Sequence, residues 1–193
     1  MPRFSEQGKA RIQQCLLQEG ERLFVTYGLK KVTIDDLIKA VNIAKASFYK
    51  FYESKEYLFL DIAQKRQKEI FDALEEVLIE HHARADKEKV RIVFFMMAQM
   101  MSKYPILTNI DTETVELIAR KVSSQRLAEY GAQGFDAVKT LERNGVLFKY
   151  DTQVVSQLFH SIYEAWIGLQ SQPEEMQKQV IDIMLEGILQ QIL

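Results

Sequence analysis

The run Thr33-Ile34-Asp35-Asp36-Leu37-Ile38-Lys39-Ala40-Val41-Asn42-Ile43-Ala44-Lys45-Ala46-Ser47-Phe48-Tyr49-Lys50-Phe51-Tyr52 reads as two short helices joined by a tight turn, the second ending in aromatics. Thr33 followed three residues later by Asp36 is a capping-box-like start, since the hydroxyl can satisfy an orphan amide of the first turn. Leu37, Ile38 and Val41 then share one helical face. Asn42 stands where the chain must reverse, and asparagine tolerates the left-handed conformation better than most residues. Ile43 re-enters the core, and Lys45, Ala46, Ser47, Tyr49 and Lys50 decorate a helix anchored inward by Phe48. The pattern is that of a helix-turn-helix whose second helix is short and basic enough for a major groove. An ordinary helical hairpin has the same apolar spacing, so spacing alone does not separate the two.

Upstream, Ile12, Leu16, Leu23 and Phe24 predict a helix from about Lys9 to Tyr27, with Gly28 as its stop. Downstream, Ser54 is placed to cap a helix running to about His82 with Leu58, Ile62, Ile70, Leu74, Val77 and Leu78 inward. At 1.5 Å per residue that rod spans ~40 Å, enough to join an N-terminal domain of residues 1–53 to a body of residues 54–193. In the body, Asp86 opens a helix through the apolar block Ile92 to Ala98, ending before Pro105. A weaker helix is expected near Thr112–Val122, and another from Gln125 to Arg143 with Gly131 and Gly134 inside it, implying a kink or a close contact. Two apolar helices close the chain, Asp151 to Leu169 and one starting at Pro173. With eight Gly, three Pro and little β-branched alternation in 193 residues, the fold class is all-α.

The net charge of −2 hides an asymmetry. Residues 1–52 hold nine Lys/Arg against five Asp/Glu, a net +4, while the rest holds 16 against 22, a net −6. A basic quarter on an acidic body fits one small domain meeting a polyanion. The lone Cys15 excludes an internal disulfide and fits a reducing compartment. The first residues lack a signal-peptide run and no stretch approaches ~20 apolar residues, so a soluble, cytoplasmic protein without membrane contact is expected.

The hairpin and its surroundings resemble the DNA-binding domain of the TetR family of transcriptional regulators. In that family a first helix ends in an aromatic-x-x-x-Gly pattern, matched by Phe24-Val25-Thr26-Tyr27-Gly28. A Thr opens the second helix, an aromatic pair ends the third, and a Lys follows near the start of the fourth, as Thr33, Phe48-Tyr49 and Lys55 do here. The resemblance covers roughly residues 8 to 62, and the remainder only by length and helical pattern.

This resemblance implies roles for named residues. Thr33, Tyr49 and Lys55 would contact phosphates, while Lys45, Ala46 and Ser47 would read bases at the exposed start of the recognition helix. Lys45 suits guanine O6 or N7, and Ser47 several bases. Lys50 is a phosphate contact or a solvated cation. The chain departs from the common pattern at Phe51, where many members have His, and at Ile38, where many have Ala. Phe51 cannot hydrogen-bond a phosphate, so that contact is lost or passes to Tyr52.

One short helix offers too few contacts for operator-level affinity, and such proteins bind palindromic DNA as homodimers. Val155, Ile162, Trp166, Met184, Ile188 and Leu189 on the last two helices either fill the protomer's own core or pair with a second copy in a four-helix bundle; the resemblance favours the pairing. It also implies a small-molecule effector in the body. Phe94, Met97, Met100, Met101, Tyr130, Phe159, Tyr163 and Trp166 are the candidate pocket, with Met96, Phe95 and Phe135 as further apolar surface and Glu116, His160 and Glu164 as polar orienting groups. No cofactor or metal is expected, since adjacent His81 and His82 point in different directions on a helix. No nucleophile elbow, phosphate loop or paired-carboxylate pattern occurs, so no enzyme is expected. The expected function is a homodimeric, ligand-responsive repressor with a helical DNA-binding domain. Its competitor is a helical interaction or small-molecule sequestering module that never touches DNA.

Overall fold

The computed structural model of the chain describes residues 5–132 and 137–193, and every regular element among them is a helix. In order these are α1 (Glu6–Lys31), α2 (Ile34–Val41), α3 (Lys45–Phe48), α4 (Lys55–Glu80), α5 (Asp86–Lys103), α6 (Pro105–Thr108), α7 (Thr112–Lys121), α8 (Ser124–Ala132), α9 (Ala137–Arg143), α10 (Thr152–Gly168) and α11 (Glu174–Ile192). They form two compact units, Met1–Lys68 with Tyr104–Gly134, and Glu69–Lys103 with Phe135–Leu193. Helix α4 gives its first half to one unit and its second half to the other.

In the first unit the local signals act as their chemistry dictates. Gly28 breaks α1 with φ 80°, a conformation that costs a side-chain-bearing residue energy. Thr33 then opens α2: its Oγ1 accepts from the Asp36 amide at 3.2 Å, while the Asp36 carboxylate accepts from the Thr33 amide at 2.9 Å. Asn42 closes α2 in the left-handed region at φ 55°, ψ 52°, so that the Ile43 amide reaches the Ile38 carbonyl at 3.0 Å. Helix α3 is only four residues long and has no side-chain cap. It is held instead by Phe48, which is fully buried in a core with Leu16, Leu23, Phe24, Leu37, Leu58 and Ile62. Gly20 lets α4 approach α1 closely, since a Cβ there would lie 3.0 Å from Leu58 Cδ2 and 3.1 Å from Ile62 Cδ1.

The units do not divide at residue 53, where the sequence placed a domain boundary. Ile106, Ile118 and Val122 from the α6–α8 region enter the same core as Leu16 and Leu58. Polar ties reinforce that packing: Arg126 donates to Asp61 and to Gln64 at 2.7 Å each, the Ser123 amide donates to the Tyr57 hydroxyl at 3.1 Å, and Lys30 pairs with Glu113. A three-helix domain thus continues into the elements around it. The helix expected over Gln125–Arg143 is described as α8 and α9; Gly131 lies in α8, whereas Gly134 and Phe135 lie outside the described residues.

In the second unit α10 packs against α5, α9 and α11. Leu74, Leu78, Val90, Val93, Leu141, Val155, Ile162, Ile181, Leu185 and Leu189 form its core. Ion pairs of Lys87 with Glu186 and Arg91 with Asp182 join α5 to α11, and Gln177 Nε2 donates to the Trp166 carbonyl at 2.9 Å. Among the described residues no helix is long and apolar enough to cross a membrane.

Two outcomes follow. Phe48→Ala removes the ring that holds α3 and is expected to destabilise the first unit by ~3–5 kcal/mol, the usual cost of emptying a buried aromatic site; urea unfolding followed by circular dichroism measures it. The second outcome concerns pH. The hydroxyl and amide of Thr33 hold the Asp36 carboxyl below its ordinary value. Its folded-state value is therefore the lower one, and the cap contributes fully above the ordinary carboxylate range and is lost as pH falls through the depressed value. Thermal melts from neutral to strongly acid pH are expected to show an acid-labile contribution that Asp36→Asn lacks.

Candidate nucleic-acid interface

With Phe48 turned inward, the remaining residues of α3 and the turn after it are sorted by helical geometry. Lys45, Ala46, Tyr49 and Lys50 are exposed and Ser47 is half-buried. The Tyr49 ring is 52 % exposed and stands edge-on to Phe48, with centroids 5.7 Å apart, so the buried ring sets where the exposed one points. Lys45 is not idle: its ammonium donates to Asp35 on α2 at 3.0 Å. That hydrogen bond, and then the charge of Asp35, hold the Lys45 ammonium above its ordinary value. Thr33 is exposed at the start of α2, but its hydroxyl already donates to Asp36 Oδ2 at 2.6 Å.

Two expected phosphate contacts are not available as they stand. Lys55 Nζ donates to the carbonyls of Leu29 at 2.7 Å, Lys30 at 3.1 Å and Val32 at 2.6 Å. An ammonium has three donors, and all three are used. Burial lowers the Lys55 pKa, as desolvation does to a cation. Lys55 therefore closes the C-terminal end of α1 and fixes the approach to Thr33, and does not offer itself to a phosphate. Tyr52 cannot replace the missing contact at Phe51, because it is only 5 % exposed and belongs to the core. Its phenol is pushed up to about 12, chiefly by burial.

A shallow groove beside α2 supplies other cations. Arg22, Tyr27, Lys31 and Lys39 line it together with Asp36, and Tyr27 is 56 % exposed. Sequence reasoning nominated none of these four for DNA. The signal lay in the charge excess of the N-terminal quarter and in an exposed aromatic next to the break at Gly28.

In the second unit a cavity of about 370 Å³ opens among α5, α9 and α10. Of the expected pocket residues, Phe94, Met97, Met101, Phe159 and Tyr163 line it, joined by Ala137, Val138, Ser156 and His160. Met100 does not. Trp166 lines a separate groove with Phe95, their rings 5.9 Å apart. Tyr130 belongs to the first unit, where its hydroxyl accepts from Gln67 at 2.9 Å. Glu116 is also in the first unit, paired with Arg120 at 2.9 Å, and Glu164 is exposed beside His160 at 3.7 Å. No group of three metal-ligating side chains occurs among the described residues.

Half of the expected pairing residues are spent within the protomer. Val155, Ile162 and Leu189 are at most 1 % exposed and form the unit's own core, with Trp166, Met184 and Ile188 packed against it. Both helices carry more apolar residues than one face holds, and periodicity alone does not say which face turns inward. The outward apolar residues are Val154 and Ile167 on α10 and Met176 and Ile183 on α11, with Ile183 73 % exposed. Among the described residues, no other part of the chain lies within 4 Å of where a side chain would start at Gly168 or Gly187.

Comparison with known proteins agrees with this geometry. Residues 16–62 match the sequence model of bacterial regulatory proteins of the tetR family. The chain is 22 % identical over 180 residues to the HTH-type transcriptional regulator YhgD of Bacillus subtilis (strain 168), covering 90 % of this chain and 92 % of that one. Its fold is shared with the fatty acid degradation regulator FadR from Bacillus halodurans, at a TM-score of 0.63 and 15 % identity over 90 % of this chain and 94 % of that one. It is shared also with a TetR-family transcriptional regulator from Mesorhizobium loti MAFF303099, at 0.64 and 14 % over 95 % and 98 %. The matched residues are those that build and orient α3, and the likeness in fold extends over nearly the whole chain. Residues 16–62 thus carry a DNA-binding segment of the tetR-family type, on a chain whose fold is that of TetR-family transcriptional regulators.

Proposed function

We propose that the chain acts as a homodimeric repressor that binds a palindromic operator and leaves it when a small molecule occupies the second unit. One observation carries the reading. The buried Phe48 fixes a recognition helix whose Lys45, Ala46, Tyr49 and Lys50 all face outward from the basic part of the chain. Lys45 and Ser47 read base edges; Thr33, Tyr49 and Lys50, with Lys31 and Lys39 of the neighbouring groove, hold phosphates.

A helix of one turn recognises too few base pairs alone, so two copies are required, with recognition helices ~34–36 Å apart or slightly more. The outward face of α10 and α11 suits the pairing. Val154, Ile167, Met176 and Ile183 supply exposed apolar area, and Gly168 and Gly187 permit close approach. A glycine inside a helix costs ~0.5–1 kcal/mol relative to alanine, and no neighbour among the described residues explains Gly187.

Release requires only that the effector bind the DNA-incompatible state more tightly; a hundredfold preference amounts to ~2.7 kcal/mol of coupling. Helix α4 is suited to carry it, because one continuous helix contributes to the unit with the recognition helix and to the unit with the cavity.

Fluorescence anisotropy with DNA flanking the protein's own gene tests the reading. Affinity is expected to fall steeply with salt as phosphate counterions are released. Tyr49→Ala is expected to weaken binding to all operator variants alike, whereas Lys45→Ala is expected to relax preference at one base pair by ~1–3 kcal/mol. Unchanged affinity and preference in both variants would remove α3 from the interface. Ile183→Glu is expected to give a monomer in sedimentation velocity with an intact helical spectrum, and to weaken operator binding with it. A dimer that survives this change pairs through another face.

A further inference from the structure

The cavity in the second unit contains an unresolved debt of hydrogen bonding. Its walls are mostly apolar, with Phe94, Met97 and Met101 facing Phe159. Ser156 and Tyr163 also line it, and the hydroxyls of both are buried with no hydrogen-bond partner among the described residues. The two residues lie two turns apart on one face of α10. Buried hydroxyls are almost always satisfied in a folded protein, and an exception calls for a missing partner. The charge inventory is equally informative. Among the described residues no Lys, Arg, Asp or Glu lines the cavity, and the one ionisable base among them, His160, is 61 % exposed and stands 3.7 Å from Glu164. A carboxylate or phosphate drawn inside would lose its hydration and gain no cation in return.

We infer that the cavity binds an uncharged, largely apolar molecule of about a dozen non-hydrogen atoms at protein packing density, carrying a hydroxyl or carbonyl that the Ser156 and Tyr163 hydroxyls hydrogen-bond. The inference rests on the reading of this chain as an effector-responsive regulator and gives that effector a chemistry. Burial, and then the charge of Glu164, hold the Tyr163 phenol above its ordinary value, so it stays protonated and able to donate. The methionines allow the apolar body to vary, while the two hydroxyls select for a polar atom. Selection by hydrogen bonding discriminates more sharply than selection by apolar fit, because a ligand without the group leaves the protein's hydroxyls unmet.

The test compares 2-naphthol with 2-methylnaphthalene, a near-isostere that cannot hydrogen-bond, by titration calorimetry on the full chain. 2-Naphthol is expected to bind saturably and about tenfold or more tighter than its isostere. The double variant Ser156→Ala/Tyr163→Phe is expected to lose that advantage while still binding 2-methylnaphthalene. Without ligand its melting temperature is expected to be unchanged or higher, because the deleted hydroxyls had no partner. No saturable binding of 2-naphthol up to its solubility limit overturns the proposal, as does equal affinity for the two probes or an advantage that survives the double variant. The DNA complex is read separately, by anisotropy. Hydroxyl-dependent binding that leaves DNA bound supports the cavity chemistry and removes its regulatory role. Salt-sensitive operator binding by a protein that shows no saturable binding of 2-naphthol keeps the regulator and overturns this cavity chemistry.

Discussion

Burial of the Phe48 ring is the constraint on which the exposed surface of α3 rests. A helix of four residues has no stability of its own, since nucleation costs more than one turn of hydrogen bonds returns. No side-chain cap supports it either. Its position is therefore a tertiary matter: the left-handed Asn42 aims the chain, and a fully buried aromatic pins it against α1, α2 and α4. Once that ring is inside, helical spacing puts Ala46 on the far side and Tyr49 about a quarter turn round, and Lys45 is exposed at the open first position of the helix. The core thus arranges the surface. Lys55 serves the same end from below, tying the start of α4 to three carbonyls at the end of α1 and so setting the approach to Thr33.

Much of this was legible in the residues, and the legible part is local. Thr33 with Asp36, Gly28 and Asn42 each act through their own backbone or through a partner three or four residues away, and each does so in the structure. Ser54 and Asp151 likewise receive the amides of the helix starts they precede. The all-α class followed from the same local grammar.

What was not legible depends on partners distant in sequence. Nothing near Lys55 announces that three carbonyls over twenty residues upstream will consume its donors. Val155, Ile162 and Leu189 read as surplus apolar surface because α10 and α11 have apolar residues on more than one face, and only packing shows that these turn inward while Val154 and Ile183 do not. Tyr163 was legible as an aromatic pocket wall, but nothing in the sequence marked its hydroxyl, or that of Ser156, as lacking a partner. An unsatisfied group is defined by what fails to surround it, and that is a property of the whole unit.

If α3 meets DNA as proposed, the ion pair between Lys45 and Asp35 bears on searching as well as on binding. Random DNA attracts a protein through net charge, and a cation already shared with a carboxylate adds little to that attraction. While the pair is closed, the recognition surface is less adhesive than its lysine content implies, and sliding along irrelevant sequence meets less friction. Only a base edge that offers a better acceptor than Asp35 repays opening it. On the proposed reading Asp35 sets a small threshold, the size of one exposed ion pair, against Lys45 engaging random DNA.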